Sequence, residues 1–170
     1  QAFFHCYAME TFVFENAASS QLSTMGNYVF CGAPLTSFYF PGTLKTITGQ
    51  SFSGCTKIAS ITISEGVETI AYEAFSGCTS LTEVHIPSTV KILENRAGSN
   101  DMLALKRGVF NGCTSMKSVE LPEGVRKIGK SAFKNCKSLT NVNIPASVVS
   151  ISDAPFRGCE NMKSIYVESK

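Results

Sequence analysis

The chain has no Cys-x-x-Cys pair, no basic run, no long apolar stretch and only two histidines among its 170 residues. Each absence removes a class of function. Sulfur-ligated zinc needs closely spaced Cys or Cys/His pairs, so no such metal site is expected. Crossing a bilayer as a helix takes about 18 consecutive apolar residues, and no stretch approaches that. Charged residues make up only 16% and leave a formal net charge of +2. No basic segment stands out, so nucleic acid is not a suggested partner. With 44% hydrophobic residues the composition is that of a folded chain, and its length is that of one domain.

What the chain has in abundance is repetition. "AYEAFSGCTSLTEVHIP" at 71–87 returns as "KSAFKNCKSLTNVNIP" at 130–145, with Phe, Cys, Ser-Leu-Thr, Val and Ile-Pro at the same offsets. Aligning on the aromatic gives Phe3, Phe52, Phe75, Phe110, Phe133 and Phe156. Aligning on the thiol gives Cys6, Cys31, Cys55, Cys78, Cys113, Cys136 and Cys159, with gaps of 25, 24, 23, 35, 23 and 23 residues. The period is 23, the gap of 35 is one period plus a 12-residue insertion, and the register slips near Cys31. The expected organisation is one domain over 1–170, built of seven copies of one unit, with an insertion at 94–107.

Each unit carries L-x-x-V-x-I, as in Leu81/Val84/Ile86 and Leu139/Val142/Ile144. The Val-x-Ile alternation is that of a half-buried strand. Pro41, Pro87, Pro122 and Pro145 follow at once and should end the ladder there. The next motif, V-x-x-I at Val67/Ile70, Val125/Ile128 and Val148/Ile151, turns the chain back towards the core. "AF-x-G-C" reads as one helical turn with Phe inward, closed by Gly54, Gly77, Gly112, Gly158 or Asn135, residues that tolerate a left-handed backbone. A unit this short cannot bury its own apolar face, but stacked units cover one another. The expected fold is an α/β repeat: a solenoid about 30 Å long, with one parallel sheet formed by the L-x-x-V-x-I strands ~4.8 Å apart.

Seven thiols invite disulfide, metal or nucleophile readings. One Cys per coil beside an inward Phe fits a column of small buried side chains better. Neighbouring coils lie within bridging reach, so an occasional disulfide stays compatible with the pattern.

"AFSGCTSLTEVHIPSTVKIL" and "AFKNCKSLTNVNIPASVVSI" resemble the 23-residue leucine-rich repeats of the BspA-like family of bacterial and protist surface proteins. The resemblance runs along essentially the whole chain. It departs from the general leucine-rich pattern where Thr43, Gly66, Thr89, Gly124 and Ser147 stand in place of an asparagine ladder. It implies a right-handed solenoid with the parallel sheet on one face and turns on the other. It further implies secretion or cell-surface display, binding to host proteins or other cells, and no catalytic residue, cofactor or metal. The chain begins inside one motif and stops after a strand motif, as a mature or excised slice of a longer protein would.

The outward strand positions, coil by coil, are Thr11/Val13, Ser37/Tyr39, Ser60/Thr62, Glu83/His85, Ser118/Glu120, Asn141/Asn143 and Ser164/Tyr166. Small polar residues with interspersed tyrosines suit contact with a host or matrix protein, or with a glycan. The expected contributors are Tyr39, Glu83, His85, Glu120, Asn143 and Tyr166. The plainer alternative is a solvated face that binds nothing. Glu83, His85 and Glu120 raise the question of acid–base chemistry. No nucleophile joins them, since Cys78 points inward, and His5 lies three coils away. A pH-sensitive contact is the better expectation for a histidine between two carboxylates. In the insert, Ser99 or Asn100 is placed to cap a short helix over "DMLALKR", and insertions in repeat proteins project as loops, often at a binding face. Two functions therefore stand: an adhesion module of a secreted or surface protein, and a structural spacer that displays another domain.

Overall fold

The computed structural model describes residues 2–15, 19–93 and 108–169. Its ten short strands are β1 (Thr46–Ile47), β2 (Ser60–Thr62), β3 (Thr69–Ile70), β4 (Glu83–His85), β5 (Ile92–Leu93), β6 (Ser118–Glu120), β7 (Lys127–Ile128), β8 (Asn141–Ile144), β9 (Ser150–Ile151) and β10 (Ser164–Val167). All pairing is parallel, and every strand pairs with its counterpart one coil away. The odd-numbered strands form one ladder, β1-β3-β5-β7-β9, while the even-numbered strands form β2-β4 and β6-β8-β10.

Three expectations are corrected. First, the V-x-x-I segments do more than return the chain: they build a second parallel wall. Two residues of each coil suffice, with Thr46 opposite Thr69 and Ile47 opposite Ile70, because the coil already holds them in register. Second, the L-x-x-V-x-I segments do not form one sheet, since β4 and β6 do not join into a ladder and residues 11–14 and 35–40 are not strands. Third, no α-helix occurs among the described residues, so the architecture is a β-solenoid. The "AF-x-G-C" corner is a tight turn, with Cys55 N donating to Phe52 O (3.2 Å) and Cys78 N to Phe75 O (3.3 Å). Three residues per turn is too short a reach to propagate a helix. The left-handed residue comes where expected, at Gly77 (φ 75°) and at Asn135 (φ 60°).

The core is a set of columns running through the coils. The phenylalanines stack face to face through Phe3, Phe30, Phe52, Phe75, Phe110, Phe133 and Phe156, with centroids 5.3–5.5 Å apart and planes within 25°. Phe30 escaped the sequence alignment because Cys31, not Ala33, was put in register. The structure places Ala33 in the column position and moves Cys31 to the place of Ser53 and Ser76, half-buried. The thiols beside the rings form a column of their own. Cys55 Sγ donates to Phe30 O, Cys78 to Phe52 O, Cys113 to Phe75 O, Cys136 to Phe110 O and Cys159 to Phe133 O, each at 3.2 Å. Each inner thiol thus satisfies a carbonyl of the coil before it. Cys159 is only half-buried, against expectation, because no described coil covers it. The hydroxyls that replace an asparagine ladder work the same way: Thr89 Oγ1 donates to Val67 O (2.7 Å) and Ser147 Oγ to Val125 O (2.8 Å). At Gly124 the Ser88 carbonyl lies where a Cβ would stand, so the coils approach too closely there for any side chain.

Truncating Phe133, fully buried between Phe110 and Phe156, should cost about 3–5 kcal/mol in urea unfolding. Phe3→Ala should cost clearly less, since Phe3 is only partly buried and a terminal coil frays. Equal losses would contradict nearest-neighbour stability.

Burial pushes the Cys55 thiol up to about 12 from its ordinary 9.0, with a smaller contribution from neighbouring Cys31. Burial likewise raises Cys78, Cys113 and Cys136. The folded state therefore favours the protonated thiols. That stabilisation is complete below pH 9.0 and is lost as the pH rises from there towards 12. Unfolding midpoints measured at rising pH should decline above 9.0 and not below it. In the native state at neutral pH, Cys6, Cys31 and Cys159 should take up a thiol reagent while the four buried thiols resist it.

Candidate functional site

Alternation along each strand decides which side chains face out. Val84 is buried between exposed Glu83 and His85, and Val119 between exposed Ser118 and Glu120. The ladder register then aligns them across coils. Thr62 pairs with His85, and Ser60 with Glu83. Glu120 pairs with Asn143, and Asn143 with Tyr166. Glu120, Asn143 and Tyr166 thus lie in one row across consecutive coils. His85 and Glu83 belong to the coil before, with His85 and Glu120 lining the same depressions. Tyr39 and Tyr166 are exposed, at 47% and 64%.

The face is not flat. Side by side but unjoined, β4 and β6 frame an open depression of about 340 Å³ lined by β2, β4 and β6, with Glu83, His85 and Glu120 in it. A second, of about 310 Å³, continues past His85 and Glu120 to Pro87 and Pro122, and includes Glu65. A third, also about 310 Å³, lies under Tyr39 and reaches Ser60 and Thr62. Tyr39 meets this surface with its ring against Phe14 (centroids 6.4 Å apart), while Glu83, His85, Glu120 and Tyr166 are exposed there. Asn143 is different, because its Nδ2 donates to Glu168 Oε1. That bond, followed by one involving Glu123, holds the Glu168 carboxyl below its usual range.

The expected sandwiching of His85 by two carboxylates takes a looser form. Glu83 is its neighbour on the same strand face, while Glu120 lies on β6 in the next coil, where Lys117 N donates to Thr82 O (3.0 Å). His85 forms no ion pair with either among the described residues. Cys78 is buried away from this face, hydrogen-bonded to Phe52 O. No group of three or more His, Cys, Asp or Glu side chains converges to hold a metal among the described residues. The one buried carboxylate among them, Glu73, accepts from Gln50 Nε2 (2.8 Å) at the opposite corner of the coil.

The insertion at 94–107, with the short helix expected in it, lies outside the described residues. Its two ends do not belong to the strand face. The chain leaves at Leu93, the last residue of β5, and returns at Gly108 ahead of the Phe110 corner. The coil closes across it, with Ile92 opposite Lys127 and Leu93 opposite Ile128. No motif announces the depression at β2, β4 and β6, since it depends on how three coils sit together.

The pattern of the BspA type leucine-rich repeat region, in six copies, matches residues 1–104 and 99–170. Among solved structures, a leucine-rich repeat protein from Bacteroides ovatus is similar at 32% identity and TM-score 0.62, over 72% of this chain and 29% of that one. A leucine-rich cell surface protein from Faecalibacterium prausnitzii is similar at 29% identity and TM-score 0.67, over 79% and 32%. The leucine-rich repeat protein TpLRR of T. pallidum is similar at 26% identity and TM-score 0.63, over 72% and 51%. This chain therefore spans about a third to a half of the length of these proteins. No curated protein matches it. Among the described residues no helix is long and apolar enough to cross a membrane.

Because β6 meets β4 without a ladder while β8 is paired on both sides, backbone protection should differ between them. In hydrogen exchange, the amides of Ser118–Glu120 should exchange measurably faster than those of Asn141–Ile144. Equal protection would mean that β4 and β6 are joined in solution.

Proposed function

The chain belongs to the BspA-type leucine-rich repeat family, and from that premise we propose a non-enzymatic adhesion module of a secreted or cell-surface protein. Residues 1–170 form one domain in this reading, and its outward strand face binds a host or matrix protein, or a glycan. The observation that carries the proposal is the outward strand face, where His85 and Glu120 line a run of open depressions. The ladder row from Glu120 continues there through Asn143 to exposed Tyr166. Such a surface offers hydrogen-bonding groups and exposed tyrosine rings to a large ligand, and tyrosine brings contact area with few rotors to immobilise. The depressions on it, among the described residues, are open to solvent, which suits a broad ligand. Extracellular display is supported by the similarity to a cell surface protein of F. prausnitzii. One observation favours a spacer role instead: Ser60, Thr62, Ser118 and Ser164 are the small hydroxyl residues of any solvated sheet.

The test is a screen of matrix proteins and glycans, followed by a Tyr39→Ala/His85→Ala/Tyr166→Ala variant and a variant lacking 94–107. Loss of the exposed tyrosines should weaken a bound ligand about tenfold or more, and the deletion should leave it intact. Loss only on the deletion would move the site to the insertion. A ligand indifferent to both, or no ligand at all, leaves the spacer role in force.

A further inference from the structure

We propose that the outward strand face takes a cationic polypeptide segment, an extended stretch bearing lysine or arginine side chains. The inference rests on that face being the binding surface, and adds the chemistry of what it binds. The three depressions form one run. The central one shares Ser60 and Thr62 with the depression under Tyr39, and His85 and Glu120 with the one ending at Pro122. Glu65, Glu83 and Glu120 line this run, and no lysine or arginine lines any part of it.

The contrast with the rest of the molecule gives that arrangement its meaning. Away from the run, Glu10 pairs with Lys57 (2.6 Å), Glu68 with Lys45 (3.3 Å), Asp153 with Lys130 (3.5 Å) and Glu160 with Lys137 (2.9 Å). None of the three carboxylates on the run forms an ion pair among the described residues. The chain as a whole is formally positive, at +2, so the negative face arises from placement and not from composition. Several cations sit elsewhere: Lys127 lies in β7, and Lys91 and Arg126 stand just before β5 and β7, on the other wall. Lys117 and Lys163 stand just before β6 and β10, yet only glutamates supply charge to the lining of the run itself, and a cationic segment is steered there.

A second feature points to the same charge independently. Tyr39 stands exposed at one end of the run, and an aromatic face attracts ammonium or guanidinium groups through its quadrupole. A neutral glycan can donate hydroxyls to these carboxylates, but only a cationic partner also neutralises their charge, so salt dependence separates the two.

The experiment uses the whole chain and a fluorescent peptide of alternating lysine and serine, with the lysine-to-glutamate peptide as control, read by anisotropy. The lysine peptide should bind, and its affinity should fall steeply between about 50 and about 300 mM salt. Glu83→Gln with Glu120→Gln should weaken it about fivefold, the scale of two exposed charge pairs. Lys91→Gln with Arg126→Gln, on the other wall, should not weaken it. Absence of binding, indifference to the glutamine pair, or stronger binding of the glutamate peptide would each overturn the proposal. If a matrix protein or glycan binds through Tyr39, His85 and Tyr166 while the lysine peptide does not, the face is a binding surface and only the cationic assignment falls. If neither binds, both fall.

Discussion

The contact between one phenylalanine ring and the next, repeated at 5.3–5.5 Å, is the constraint from which the rest of this solenoid follows. A coil of 23 residues has too little apolar surface to close a core alone. Its ring is desolvated only when a neighbour lies on each side, and the same holds for the Val, Ile and Leu columns around it. Hydrogen bonding obeys the same rule. Each corner turn hands its backbone donors to the next coil, as Phe52 N does to Ala74 O (2.9 Å) and Gly54 N to Ser76 O (2.8 Å). Each inner thiol returns a donor to the coil before it. Burial and polar satisfaction are therefore both properties of the stack, not of the unit.

That constraint explains what the fold tolerates. The insertion after Leu93 leaves the columns intact, since Phe75 and Phe110 stack at 5.5 Å with planes 6° apart although 35 residues separate them. Loop closure costs rise only slowly with length, so a long excursion from a corner is compatible with an undisturbed core. Position 30 shows the converse. The ring keeps its place in the column, and the displaced thiol of Cys31 gives way to Ala33. Filling the aromatic column takes precedence over filling the thiol column, as expected from the larger area that a ring buries.

The same stack generates the outward surface. Because strands pair one coil apart with no stagger, whatever alternates with the buried Val in each coil is lined up into rows. Small changes at those positions alter the chemistry of the face at no cost to the core. Acidic and aromatic residues collected there, with no lysine or arginine lining the depressions, give an acidic run on a chain of net positive charge. Its depressions are open, which suits a broad ligand and not a small one.

The period, the parallel pairing, most of the inward columns and the outward positions of β2, β4, β6 and β8 were legible in the sequence, because each depends on local spacing that repeats. Ile151 of β9 and Ile165 of β10, by contrast, are exposed. Val84 between Glu83 and His85 can alternate in only one way. What the tertiary structure alone decided depends on how coils meet. It turned Val67/Ile70 and its counterparts into a second ladder, since two-residue strands are stable only when neighbours impose the register. It made the "AF-x-G-C" corner a turn, because the N–H groups a helix would use are given to the next coil and the carbonyls to the preceding one, as Gly54 N to Ser76 O and Phe30 N to Ser51 O show. It put Phe30 into the aromatic column, where packing volume outweighed the cysteine spacing. And it shaped the depression at Glu83, His85 and Glu120, which β2, β4 and β6 line together, so that its form depends on the fit of three coils and on no residue pattern within any one of them.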